Sequence, residues 1–172
     1  MTVIYWEILQ GTPPFIAVEL LLFGVPHRVV HDLESVFYVL LFICTHLEGP
    51  NNTVGNPPLY EQTHPSPMRH WFAAPGLIVL GDVKSSHMFL FFEERILPHI
   101  SPYFQPLVPY IRKLWSVLHP QNNSGCHSTA TCRDIVEVFK SALLDKELIE
   151  HARQPDSILG KRARPADLHA RN

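Results

Sequence analysis

The chain has 172 residues, 46% of them hydrophobic, and a formal net charge of −2 at pH 7. That length fits one domain with a tail. The near-neutral balance gives no long-range field for nucleic acid or an anionic membrane, so neither is expected as a partner.

Residues 1–10, "MTVIYWEILQ", carry no basic residue, and no small-residue cleavage site follows an apolar core. They read as a leader outside the domain, not as a signal peptide. In "GTPPFIAVELLLFG" the turn residues Gly11 to Pro14 lead into a short helix. It should run from about Ile16 to Leu22, with Gly24 closing it. "VPHRVV" should then be extended, because Val25 precedes a proline.

"HDLESVFYVLLFICTHLEG" is the clearest element. Asp32 is its expected N-cap, with Glu34 and Ser35 in the first turn. The helix should reach about Leu47 and stop at Gly49-Pro50. Residues 36–44 are apolar on every face, the pattern of a helix buried on all sides. The run spans only about half a membrane. The valines and aromatics permit a strand, but the polar start and the length favour helix.

Proline, asparagine and glycine in "EGPNNTVGNPPLYEQTHPSPMRHW" predict a long surface loop over about 49–83. A helix follows from roughly Ser86 to Leu97, ended by Pro98. In "FQPLVPYIRKLWSVLHP", Leu107, Ile111, Leu114 and Leu118 mark one helical face, with Pro106 or Pro109 in the first turn. "STATCRDIVEVFKSALLDKELIEHAR" gives another amphipathic helix. Thr131 and Asp134 form a capping box, Ile135, Val138, Phe139 and Ala142 a buried stripe, and Leu143 flanks it. From Gln154 the pattern is lost, and 154–172 read as a disordered basic tail. Its "GKRAR" fits a nuclear localisation signal or a solvated tail. The fold class is mainly α, with about five helices and no confident strand pair.

Chemistry is constrained by what the sequence lacks. There is no glycine-rich phosphate loop, and Pro13 and Pro14 remove backbone donors that a phosphate cradle needs. There is no DFG- or HRD-type motif and no serine in a nucleophile elbow. The three cysteines, Cys44, Cys126 and Cys132, are not a disulfide framework. Cys44 lies in an apolar run, where a free buried thiol is expected. Cys126, His127 and Cys132 lack a fourth ligand, so no metal is expected. A reducing, intracellular location, cytoplasmic or nuclear, follows as the default, and the sequons at Asn51 and Asn122 carry little weight.

"GTPPFIAVELL", the His27–Arg28 pair and "HDLESVFYVLLFIC" together resemble the fungal-type protein kinases. So do Trp71, Lys84, "EERILPHISPYFQPLVPYIRKLWSVLHP", "FKSAL" and "KRAR". The likeness covers roughly residues 11–164. It implies a kinase C-lobe over 11–153, truncated, with the N-terminal β lobe and the catalytic loop absent. The family transfers phosphate from ATP, with magnesium, to protein hydroxyls. By resemblance, "GTPPFIAVE" ends an activation segment. Thr12 matches the threonine that faces the catalytic aspartate beside the substrate. Ala17-Val18-Glu19 matches Ala-Pro-Glu, whose glutamate pairs with an arginine before the last core helix; Arg133 is the nearest here. The competing reading of Glu19 is an exposed helix glutamate. Asp32 matches the aspartate that opens the central helix and anchors the catalytic loop.

No catalytic residue and no cofactor is therefore assigned to this chain; ATP and magnesium belong to the intact family. An inactive fragment or pseudokinase remnant is expected. The alternatives are a helical adaptor, or a partner chain that supplies the missing lobe. A central helix without its cover should leave an apolar face near Asp32, open to protein partners.

Overall fold

The computed structural model describes residues 11–47, 49, 66–120 and 129–153. The leader, most of the first part of the expected loop, Asn51, Asn122, Cys126, His127 and the basic tail lie outside the described residues. Among the described residues 77% are helical and none is in a strand.

A 3₁₀ turn, Pro13–Phe15, leads into α1, Val18–Phe23. Gly24 ends α1 at φ +56°, a left-handed conformation that glycine adopts without steric cost. Then come α2, Val29–His46, α3, Arg69–Ala73, and α4, Leu77–Ser85. Wide π turns, Ser86–Leu90 and Phe92–Ile96, continue from α4 into 3₁₀ turns at Leu97–His99 and Pro102–Leu107. The chain closes with α5, Val108–Leu118, α6, Cys132–Leu143, and α7, Lys146–Arg153.

Five expectations are corrected. Residues 69–73 and 77–83 of the expected loop are helical. Gly81 of α4 permits this packing, since a Cβ there would sit 2.6 Å from a Leu22 methyl of α1. The helix expected over Ser86–Leu97 is not a regular α-helix. Trp115 Nε1–H donates to the Met88 carbonyl at 2.8 Å, and its ring stacks on Phe92 at 4.8 Å. An indole that takes a helix carbonyl draws it away from the regular ladder. The last helix is two helices. Asp145 accepts from the N–H groups of Glu147 and Leu148 at 2.9 and 3.2 Å and so starts α7. Phe139 is 38% exposed, while Ile135, Val138 and Ala142 are buried as expected.

The fifth correction concerns α2. Its inward half supplies Phe37, Tyr38, Leu41 and Cys44 to the core, against Trp71, Met88, Phe92, Ile111 and Ile135. Its last carbonyls are satisfied by Ser101, whose N–H donates to Cys44 O at 2.9 Å and whose hydroxyl donates to Leu47 O at 2.7 Å. The outward half is not buried. Val29 is 61% exposed, Val36 53% and Val39 40%. The 3₁₀ turn, α5 and α6 cover only one side of the helix. By length and composition α2 is the one described helix that could cross a membrane, yet 44% of it is buried within the protein. That inward half carries His31 and Glu34, which suits a core helix.

Candidate functional site

α2 starts three residues before its expected cap. Arg28, extended at φ −135°, is the N-cap, and its N–H donates to His31 Nδ1 at 3.1 Å. Asp32 is therefore not the cap. It lies in the first turn, exposed, with an oxygen 3.1 Å from His27 Nε2.

Beside this turn is a shallow pocket of about 50 Å³. One wall is the "GTPPFIA" segment, including Thr12, Phe15 and Ile16; the other is His27, His31, Asp32 and Ser35. Thr12 is exposed there. Its backbone carbonyl closes the 3₁₀ turn with Phe15 N–H at 2.9 Å, and its side chain makes no capping bond.

Glu19 is buried, 4% exposed, which removes the exposed-helix reading. Its Oε2 accepts from Arg28 Nη2 at 2.6 Å and lies 3.1 Å from His31 Nε2. The expected partner, Arg133, sits exposed on α6. Arg28 reaches Glu19 because Gly24 turns the chain back between α1 and α2. The structure thus brings Thr12 and Asp32 to one pocket and sets Glu19 behind it, joined through His31.

His31 has both ring nitrogens engaged. Nδ1 accepts from a backbone N–H, so the proton lies on Nε2 and is directed at Glu19. No lone pair is left to take a proton from Thr12 or Ser35. His31 is therefore not the base for the hydroxyls of this pocket; the other imidazole on its wall, His27, lies against Asp32.

A second buried network holds the pocket wall from below. Glu34 accepts from Val18 N–H at 3.0 Å and from the Tyr38 hydroxyl. Burial, with the Glu34 charge adding to it, pushes the Tyr38 phenol well above its ordinary range. Lys84 of α4 is fully buried and donates to the carbonyls of Pro14 at 2.8 Å and Ile16 at 2.5 Å. Its ammonium lies 3.6 Å from the centre of the Tyr38 ring and 5.0 Å from that of Trp71. Burial lowers its pKa to about 7, with Glu34 opposing the shift.

Sequence reasoning did not assign Glu34, His31 and Lys84 these roles. A signal existed for two of them: Glu34 and Tyr38 stand four apart on one helix face, and Lys84 is a lone cation between "LIVLG" and "MFLFF". The Cys44 thiol is buried, and burial pushes it up to about 12. Cys132 is exposed. Among the described residues, no group of three or more His, Cys, Asp or Glu is placed to hold a metal.

Residues 6–44 match the family model described as fungal protein kinase. This span is less than a quarter of the chain, and it contains Thr12, Glu19, Asp32, all of α1 and nearly all of α2. Neither the comparison with curated proteins nor that with solved structures gives a match.

Proposed function

We propose that residues 11–153 are the helical, substrate-facing part of a fungal-type protein-kinase domain. The family activity is transfer of phosphate from ATP to protein serine or threonine. These 172 residues by themselves do not perform it. They present the activation-segment end and bind protein partners. The observation that supports this most is the pocket itself. The matched residues Thr12 and Asp32 line it together, its wall is fixed by Lys84 and Glu34, and its one buried histidine has no free lone pair.

Catalysis of phosphoryl transfer is positioning plus charge stabilisation. The sequence contains no glycine-rich loop and no DFG- or HRD-type motif. ATP and magnesium therefore belong to the intact family and not to this chain. With magnesium-ATP and a generic serine-rich protein acceptor, no phosphate transfer and no thermal shift are expected. A magnesium-dependent shift accompanied by labelled acceptor would overturn the inactive reading.

The adaptor reading is favoured by a separate observation, the uncovered outward half of α2. Apolar surface of this kind marks interaction sites. On either reading α2 is the surface through which the chain engages another protein.

A further inference from the structure

The sequence holds three hydroxyl residues directly followed by proline: Thr12–Pro13, Ser66–Pro67 and Ser101–Pro102. The fold uses two of them. Ser66 and Ser101 are each 2% exposed. Ser66 Oγ accepts from Met68 N–H at 3.2 Å, and Ser101 Oγ donates to the Leu47 carbonyl at 2.7 Å. Thr12 is different. It is exposed, as are Gly11 before it and Pro13 after it. It stands at the N-cap of the 3₁₀ turn, where a threonine hydroxyl ordinarily accepts a backbone N–H of the first turn. Pro13 and Pro14 have no N–H to give, and Phe15 N–H goes to the Thr12 carbonyl at 2.9 Å. The hydroxyl is left without a capping bond and open to solvent.

The same proline selects what can act on that hydroxyl. It holds Thr12 extended, at φ −77° and ψ 120°. It also removes the N–H that follows the acceptor, so an enzyme that must bond that N–H is excluded. Enzymes that accept a proline ring there remain: the proline-directed protein kinases. The surroundings say where a phosphate would lie. Thr12 lines the pocket together with His27, Asp32 and Ser35. A phosphothreonine carries a charge of about −1.5 to −2 at neutral pH. Pro13 and Pro14 offer it no donor. His27 does: its Nε2 lies 3.1 Å from Asp32, and a phosphate, with more charge than a carboxylate, competes for it.

We propose that Thr12 is a phosphorylation site for a proline-directed protein kinase, and that its phosphate takes His27 from Asp32 and closes the pocket. A base of that kinase removes the Thr12 hydroxyl proton, and Oγ1 bonds to the γ-phosphorus of ATP. The bond from that phosphorus to the β–γ bridging oxygen breaks, and ADP leaves. The proposal needs only the accessibility of Thr12 and does not rest on this chain being part of a kinase.

The test incubates the full chain with magnesium-ATP and a purified proline-directed kinase, and locates phosphate by mass spectrometry. Thr12 should be labelled about tenfold or more faster than Ser66 or Ser101, which the enzyme reaches only after local opening. Thr12→Val, which removes no capping bond, should abolish the fast labelling. Pro13→Ala should slow it about tenfold. Equal labelling of Ser66 and Ser101, or none at Thr12, would overturn the proposal. Labelling that needs no added kinase would overturn the part given to a second enzyme, and with it the inactive reading of this chain. The phosphorus resonance of phosphorylated Thr12 should titrate about half a pH unit lower than in the His27→Gln chain, since an adjacent imidazolium favours the dianion. The same midpoint in both chains would overturn the place given to the phosphate.

Discussion

Among the described residues, two histidine–carboxylate pairs of the same length lie at the start of α2. Glu19 and His31 approach to 3.1 Å with side chains 4% and 1% exposed. His27 and Asp32 also approach to 3.1 Å, but at 56% and 66% exposed. The inner pair is tied to Arg28 and sits over the Glu34–Tyr38 network and Lys84. The outer pair lies beside a row of exposed valines. Geometry alone does not distinguish the two. Burial does, because an unpaired group in the interior keeps its full desolvation cost while an exposed one turns to water.

The largest effect should come from adjacent residues on opposite halves of α2. Phe37 is 2% exposed and packs with Phe92, their ring centres 6.2 Å apart; Val36 is 53% exposed. Phe37→Ala should destabilise by about 4 kcal/mol, through lost transfer energy and the cavity left behind. Val36→Ala should cost under about 1 kcal/mol. Urea unfolding measures both. Equal costs would erase the inner–outer distinction.

Next comes the pH dependence set by Lys84. Its pKa is about 7 in the folded protein and 10.5 ordinarily. The unfolded chain therefore binds the extra proton across that window. The cost of burying this lysine is absent above pH 10.5, grows as pH falls toward 7 and levels off below it. Unfolding free energy should rise by a few kcal/mol from pH 7 to pH 10 relative to Lys84→Met, which lacks the titrating group. Parallel profiles for the two proteins would show that the ammonium, held by two carbonyls and the Tyr38 ring, resists the burial shift.

Glu19→Gln follows at about 2 kcal/mol. It keeps the shape but removes the charge to which Arg28 and His31 donate. The same protein should show weaker protection of the Ala17–Leu21 amides from hydrogen exchange, since Glu19 joins α1 to the start of α2. Full protection would place the anchoring of α1 in Lys84 and Glu34 alone.

Much of the scaffold was legible in the sequence because it is written in local signals. The Thr131–Asp134 box caps α6, with Thr131 N–H donating to Asp134 at 2.8 Å. Gly24 ends α1, and Ile111, Leu114 and Leu118 bury one face of α5. Periodicity could not show which side of α2 the other elements cover, since residues 36–44 are apolar all round and the tertiary packing chooses. Nor could it show that Arg28 would reach Glu19, because that contact depends on the turn at Gly24. Asp32 misled for a physical reason. Asp is a strong capping residue, but here His31 accepts the Arg28 N–H and starts the helix a turn earlier. Lys84 was visible as a lone cation in an apolar stretch, yet its partners are backbone carbonyls some seventy positions away, and no side-chain pattern encodes such a bond.

Asp32→Asn should produce the smallest change. Its partner His27 is exposed, and an exposed pair contributes between nothing and about 1 kcal/mol. Asp32 also lies near the positive end of α2, which adds a few tenths at low salt and fades as salt is raised. The expected destabilisation is under about 0.5 kcal/mol in ordinary buffer, against about 2 kcal/mol for Glu19→Gln. A true N-cap lost would cost about 1 kcal/mol and would be insensitive to salt, because the missing hydrogen bond is local. Unfolding Asp32→Asn at low and at high salt therefore separates the two roles. A cost near 1 kcal/mol that survives high salt would restore Asp32 as the cap. A small cost that salt removes leaves the start of α2 to Arg28 and His31, and Asp32 to the surface beside His27.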